Sequence, residues 1–347
     1  MPGGYLSVVN EDAASLASRM PRPRGPMSYE VIGALASHSP GDISFVLPSA
    51  RADPYAADHQ LALHVCYELH YRGFDGVDPE WEWDPELIRL RNALEKPFLA
   101  RLRGEVGRGL SAASVLDSLC VDSPDGDGFS YYLRDAGTWD NFREYFAMRS
   151  IYHLKEADPH AWVIPRLTGR AKAGLVAVEF DEFGGGRAER IHSALFADLL
   201  RAADLDAGYL AYVDCVPAEA LAIVNFMSMC GLHRGLRGAS VGILAAAEVT
   251  SSPGSRRTVA ALERLGAPEP CVHFYAEHIE ADAVHEQVMR REVVQGLLDQ
   301  QPALEHDVVF GIVGSEILER RLTEFVLGKW RRGVSSLSQM LPALAIR

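Results

Sequence analysis

Apolar residues recur at spacings of three and four through most of the 347-residue chain, while the alternation of a half-buried strand is scarce. The pattern predicts an all-α protein. Helices are expected over 28–38, 54–72 and 84–106, then over 138–158, 168–183, 187–203, 217–231 and 235–250. A further helix ends at Gly266, and the last two cover 270–299 and 304–328. The predicted stops are Pro159, the triple glycine Gly184, Gly185 and Gly186, the segment "SSPGS" at 251–255, and Gly266. Residues 1–27, rich in proline and glycine, are expected to form a flexible arm. "DSPDGDGF" at 122–129 marks a boundary between an N-terminal helical domain (28–130) and a larger helical domain (131–347). No internal repeat or low-complexity tract interrupts this order.

The stretch "FYAEHIEADAVHEQV" places His278, Asp282 and His285 four and then three residues apart. Each helical residue advances about 100°, so the second and third side chains return to within about 40° of the first. They share one stripe. Glu280 falls roughly opposite it, and Glu277 and Glu286 lie well off it, as solvated acids would. Two imidazoles and a carboxylate on an inward stripe are ligand types for a metal.

Other helices offer carboxylates of the same kind. Glu248 stands in the apolar run "ASVGILAAAEVT", where a buried carboxylate without a partner costs several kcal/mol and needs a cation or a raised pKa. Glu182 and His192 flank the triple glycine. On a straight helix they would stand about 15 Å apart along the axis and about 80° apart around it, so they converge only if the chain breaks between them. Three glycines permit that break. The spacing alone leaves open whether the triple glycine is merely a loop and Glu182 an exposed acid. In "YHLKEADPHAW", Glu156 is a further candidate, with His153 and His160 as competing ligands.

Composition narrows the class of partner. A net charge of −13 with no run of lysine or arginine argues against nucleic acid and anionic membranes. No segment approaches the roughly 20 apolar residues that span a bilayer, and the N-terminus lacks a signal-peptide pattern, so a cytoplasmic protein is expected. The five cysteines are widely spaced, without a C-x-x-C pair, and read as reduced core residues.

Taken together, "YHLKEADPHAW", the Glu-x9-His across "DEFGGGRAERIH", the glutamate of "AAAEVTS" and the His-x3-Asp-x2-His of "EHIEADAVH" resemble the haem-oxygenase-like diiron oxidases and oxygenases. The resemblance covers about residues 137–330 and, more weakly, the N-terminal helices around "HVCYELHYRGF". The spacing is most similar to that of the N-oxygenase members of the family. Carried over position by position, the resemblance implies Glu156, Glu182, His192, Glu248, His278, Asp282 and His285 as metal ligands. It further implies a haem-oxygenase-like bundle, two iron ions that are ferrous at rest, O2 as cosubstrate through a peroxo-diferric intermediate, and an external electron donor. The chain ends at Arg347, leaving no room for the cupin domain of nitrosourea-forming members, so their N–N bond-forming step is not implied.

The ligand chemistry agrees. Four carboxylates balance the charge of two Fe(II) ions and, as hard donors, favour the ferric state, while neutral imidazoles suit either valence. A structural zinc site would use clustered cysteine and histidine, and ferritin-like diiron bundles use paired Glu-x-x-His motifs that this chain lacks. The leading expectation is therefore an N-oxygenase acting on an amine, guanidine or amino-heterocycle in specialised metabolism. The alternative is a diiron oxidase that desaturates, decarboxylates or cleaves an amino acid or fatty acid, because fold and metal do not decide substrate. A non-catalytic metal- or haem-binding helical protein is the third reading, although a haem gives no reason for four inward carboxylates. Glu68, His70, Trp81 and Trp83 near the N-terminus invite a second site, but the Trp and Tyr residues of this region read as interface residues instead, and the resemblance implies that this region dimerises the chain.

Overall fold

The computed structural model describes residues 18–49, 52–107 and 109–341, apart from the side chains of Glu280, Asp282 and Ala283. The first part of the expected N-terminal arm, residues 1–17, therefore lies outside the described residues. From residue 18 the chain is tied to the fold: Arg24 Nη2 donates to the carbonyls of Val213 (2.6 Å) and Val216 (2.8 Å).

The described residues form an all-α structure in which no helix is long and apolar enough to cross a membrane. Helices α1 (Pro26–Ser37), α2 (Ala57–Glu68) and α3 (Pro85–Glu105) open the chain. Two short helices, α4 (Ala112–Leu119) and α5 (Phe129–Ala136), flank the Asp-, Gly- and Pro-rich stretch that composition marks as a boundary. Both were missed by periodicity because eight residues give barely two turns of pattern. Then come α6 (Trp139–His153), α7 (Asp158–Ala161), α8 (Gly169–Glu182), α9 (His192–Ala202) and α10 (Ala218–Leu232). Helix α6 stops five residues earlier than expected, which leaves Glu156 in the turn before α7. One apolar core links Val31 and Leu63 near the N-terminus with Phe226 in α10 and residues as late as Leu327.

The largest departure from expectation is α11 (Arg237–Arg264), a single helix that runs through Pro253 where two helices were predicted. Proline removes one backbone donor and ordinarily costs about 3 kcal/mol inside a helix. Here Ser252, Ser255 and Thr258 are all buried, and Ser252 Oγ donates to the carbonyl of Ile279 (3.2 Å). Packing along the whole length holds the helix together. Helix α12 (Glu269–Val288) lies against it and continues through a π-helical turn, Met289–Val294, into α13 (Gln295–Gln300). The final helix, α14 (Glu305–Trp330), crosses α11 so closely that a Cβ on Gly242 would strike the carbonyl of Val308, and one on Gly311 that of Ala239. Only glycine permits that crossing.

Trp81 is fully buried within the chain, which corrects its reading as an interface residue, and Glu68 is buried as well; Trp83 is exposed.

Candidate metal centre

The triple glycine turns the chain back on itself. Helix α8 ends at Glu182, and Gly184, Gly185 and Gly186 follow with φ of 73°, 62° and 80°, in the left-handed region that side chains avoid. At Gly184 there is also no room, since a Cβ would lie 2.7 Å from the backbone of Arg190 and Ile191. The return places His192 at the start of α9 with Nδ1 2.7 Å from Glu182 Oε2. The convergence that needed a broken helix therefore occurs.

Six of the seven sequence candidates gather into two buried triads, each with ligand atoms within 4.8 Å of one another. One comprises Glu156, His192 and His278. The other comprises Glu182, Glu248 and His285. His285 Nδ1 stands 3.2 Å from Glu248 Oε2 and 3.6 Å from Glu182 Oε1. Glu182 thus presents one oxygen to an imidazole of each triad. The rings of His192 and His278 lie 4.5 Å apart between centroids. The side chain of the seventh candidate, Asp282, lies outside the described residues, as does that of Glu280. Glu277 and Glu286 sit off the stripe as expected, near Arg190 (3.4 Å) and Arg290 (3.1 Å).

The residue types and their hydrogen bonds fit a metal. Nδ1 of His278 lies 2.7 Å from the carbonyl of Phe274, so it carries the proton and donates; Nε2 keeps its lone pair, buried and with no hydrogen-bond partner among the described residues. A backbone-anchored imidazole with its other nitrogen bare is how proteins orient a metal-binding histidine. Glu156 is held by His153 Nδ1 at 2.8 Å. Burial works to raise its pKa, but His153, then His278 and His192, prevail and hold the carboxyl down at about 2. His153 therefore supports Glu156 rather than replacing it. His160, the other competitor, is buried to the point that its pKa falls to about 4, and it is absent from both triads.

Sequence reasoning missed three groups around the triads. Asp181 approaches His285 Nε2 at 3.2 Å. Glu179, one turn before Glu182, is buried with neither oxygen hydrogen-bonded among the described residues; burial, then Glu182 and Asp158, raise its pKa to about 8. Its three-residue spacing from Glu182 was the available signal, since the two share a face of α8. Tyr152 is the third: burial, then Glu156, Glu182, Glu179 and Glu248, push its pKa well above that of an ordinary phenol, so it keeps its proton beside the carboxylates.

A cavity of about 470 Å³ reaches Glu156, Glu182, Glu248 and His278. Its volume is that of a small-molecule site. Two larger depressions, of about 530 and 690 Å³, lie away from both triads.

A comparison with curated proteins finds no match. Residues 143–315, the stretch that holds every candidate ligand, match the family of iron-containing redox enzymes, in accord with a haem-oxygenase-like all-α fold.

Proposed function

We propose that the two triads hold two iron ions and that the chain is an O2-dependent N-oxygenase. The observation that carries the dinuclear reading is Glu182, whose two oxygens face His192 and His285 of different triads at 2.7 and 3.6 Å. A carboxylate in that position can bridge two ions. Asp282, one turn after His278 on the same stripe, is the remaining proposed ligand.

Iron bound here would supply the electrons and the coordination site that activate O2. The chain's own residues supply the rest. His153 and the Phe274 carbonyl orient Glu156 and His278. Phe196 and Phe274 pack against the His153 ring and help exclude water from that side. The Tyr152 phenol and the Glu179 carboxyl, both protonated at neutral pH, can donate protons near the triads as oxygen is reduced. A nucleophilic substrate nitrogen with a free lone pair would accept one oxygen atom, and an external donor would return two electrons. We also propose that the N-terminal helices form a homodimer surface around exposed Trp83; sedimentation of a Trp83→Glu chain tests it, with an unchanged dimer placing the interface elsewhere.

The test of the reaction is incubation of the diferrous chain with ¹⁸O2 and a panel of arginine derivatives, lysine-like amines and aminoimidazoles. Two irons per chain and label on nitrogen are expected. Loss of two hydrogens or of a carbon fragment, with no label on nitrogen, moves the chain to desaturation or cleavage.

A further inference from the structure

The cavity against the triads has a second end, built by α5, α6 and α14, whose charges do not balance. Its cations are engaged. Arg149 makes a two-pronged pair with Glu319, both contacts at 2.7 Å, and Arg257 pairs with Asp122 at 2.6 Å while donating to Ser130 Oγ at 3.0 Å. Among the acids, Glu156, Glu182 and Glu248 belong to the triads, and Glu319 is taken by Arg149. That leaves Glu316. It lines the cavity one turn before Glu319 and has neither a hydrogen bond nor an ion pair among the described residues. Arg320, one turn later on the same helix, pulls the Glu316 pKa down but does not pair with it; it is exposed and lies 3.9 Å from Glu324. The surrounding wall is aromatic: Phe129, Tyr131, Tyr145, Tyr152 and Tyr275 face the same space.

We infer that Glu316 is the anchor for a positively charged group of the substrate, so that this cavity takes a small cation, an ammonium or guanidinium compound, in preference to a neutral or anionic one. Three arguments support it. A carboxylate in a concave, largely apolar wall gains most from a ligand that brings the missing charge. The aromatic faces around it favour a cation through their quadrupoles and also cover an aliphatic stem. Burial, with Glu319 adding to it, raises the Glu316 pKa to about 7, so the empty cavity leaves this acid poised between its two forms and an arriving cation would fix it ionised. Among the described residues no lining cation is left over to hold a second acid, so a fatty-acid carboxylate finds no counterpart among them.

The inference rests on the proposed function for the identity of the site and deepens it by naming the substrate's charge. Its test is kept apart from turnover. The full chain, loaded with Fe(II) and held without O2, is titrated calorimetrically with n-butylguanidine and n-pentylamine, both cations at neutral pH and without a carboxylate, and with their neutral counterparts n-butylurea and 1-pentanol. The cationic pair should bind at least about 10-fold more tightly. Glu316→Gln should weaken the cationic pair by about 10- to 100-fold, the worth of a hydrogen bond to a charged group, and leave the neutral pair nearly unchanged. Glu316→Asp, which keeps the charge but shortens the reach, should retain the preference at reduced affinity, and it serves if the glutamine variant does not fold. Equal binding of the cationic and neutral compounds, or full affinity for cations in the Glu316→Gln chain, overturns the assignment. Because no O2 is present, a chain that binds cations yet later places ¹⁸O elsewhere than on nitrogen would sink the N-oxygenase reading and leave the anchor standing.

Discussion

Two buried polar clusters lie on either side of the turn at residues 154–157, and they differ in whether their own charges balance. In the first, Lys155 pairs with Glu68, and Glu68 Oε2 accepts from the Tyr209 hydroxyl at 2.6 Å. His64 reaches Asn225 at 3.1 Å, Asn225 donates to Gln60 Oε1 at 2.7 Å, and Gln60 donates to the Pro54 carbonyl at 2.7 Å. The one acid has its base, and burial keeps His64 neutral by lowering its pKa to about 4; its Nε2, 3.4 Å from Glu68 Oε1, makes no hydrogen bond among the described residues. In the second cluster three buried carboxylates face three imidazoles, and the bare Nε2 of His278 adds a lone pair with no donor among the described residues. One cluster balances its own charge; the other asks for positive charge from outside. A bare ring nitrogen occurs in both, so a buried polar cluster is evidence for a ligand only when its charge does not balance without one.

The strongest test of that contrast removes Glu182, the member of the second triad proposed to serve both. Glu182→Ala should abolish iron uptake at both positions, whereas His285→Ala should leave the triad of Glu156, His192 and His278 able to hold one ion. Metal analysis after anaerobic loading reads the difference, and equal occupancy in the two variants would falsify the bridging role. Next in size is the balanced cluster. Glu68→Ala strands a buried ammonium and should cost about 3–5 kcal/mol in urea unfolding, with the same loss whether or not iron is present.

A smaller effect comes from His64. Its pKa is about 4 when folded against about 6.5 when exposed, so the unfolded chain binds a proton between those values and the folded chain does not. The stability this neutral histidine contributes is present above pH 6.5 and is lost as pH falls toward 4, by up to about 3 kcal/mol. His64→Gln should flatten that part of the stability profile. An unchanged acid limb would mean that other groups carry it.

How far the site could be read from sequence follows from which forces are local. Helical periodicity depends on neighbours three and four residues away, so the long helices and the stripe of His278 and His285 were legible, as was the need for a break between Glu182 and His192. Pro253 was misread because the contacts that carry α11 through it, among them Ser252 to the Ile279 carbonyl, come from another helix. Glu156 was legible as a residue type but not as a turn residue supported by His153. Glu316 and Glu179 carry no motif. Their interest comes from partners that neighbouring helices fail to provide, which a linear pattern does not record.

The last and smallest expected effect compares one substitution in two metal states. Glu248 stands with Glu182 and His285 in a triad whose ligand atoms are within 4.8 Å of one another. Two unit charges at that separation repel by about 3.5 kcal/mol at an effective dielectric of about 20, which the His285 ring beside both carboxylates offsets in part. Without metal, Glu248→Gln removes one of the charges while keeping the shape and an oxygen for His285, so the variant should unfold about 1–2 kcal/mol later than the parent chain. With iron, the order reverses, because the parent gains stability as the logarithm of metal concentration over Kd and the variant gains less. Thermal unfolding of both chains, each with chelator and with Fe(II) under argon, gives the four values needed. A crossing supports a charge cluster kept for a metal. If Glu248→Gln destabilises the metal-free chain, the second cluster is balanced like the first, and the distinction drawn between them fails.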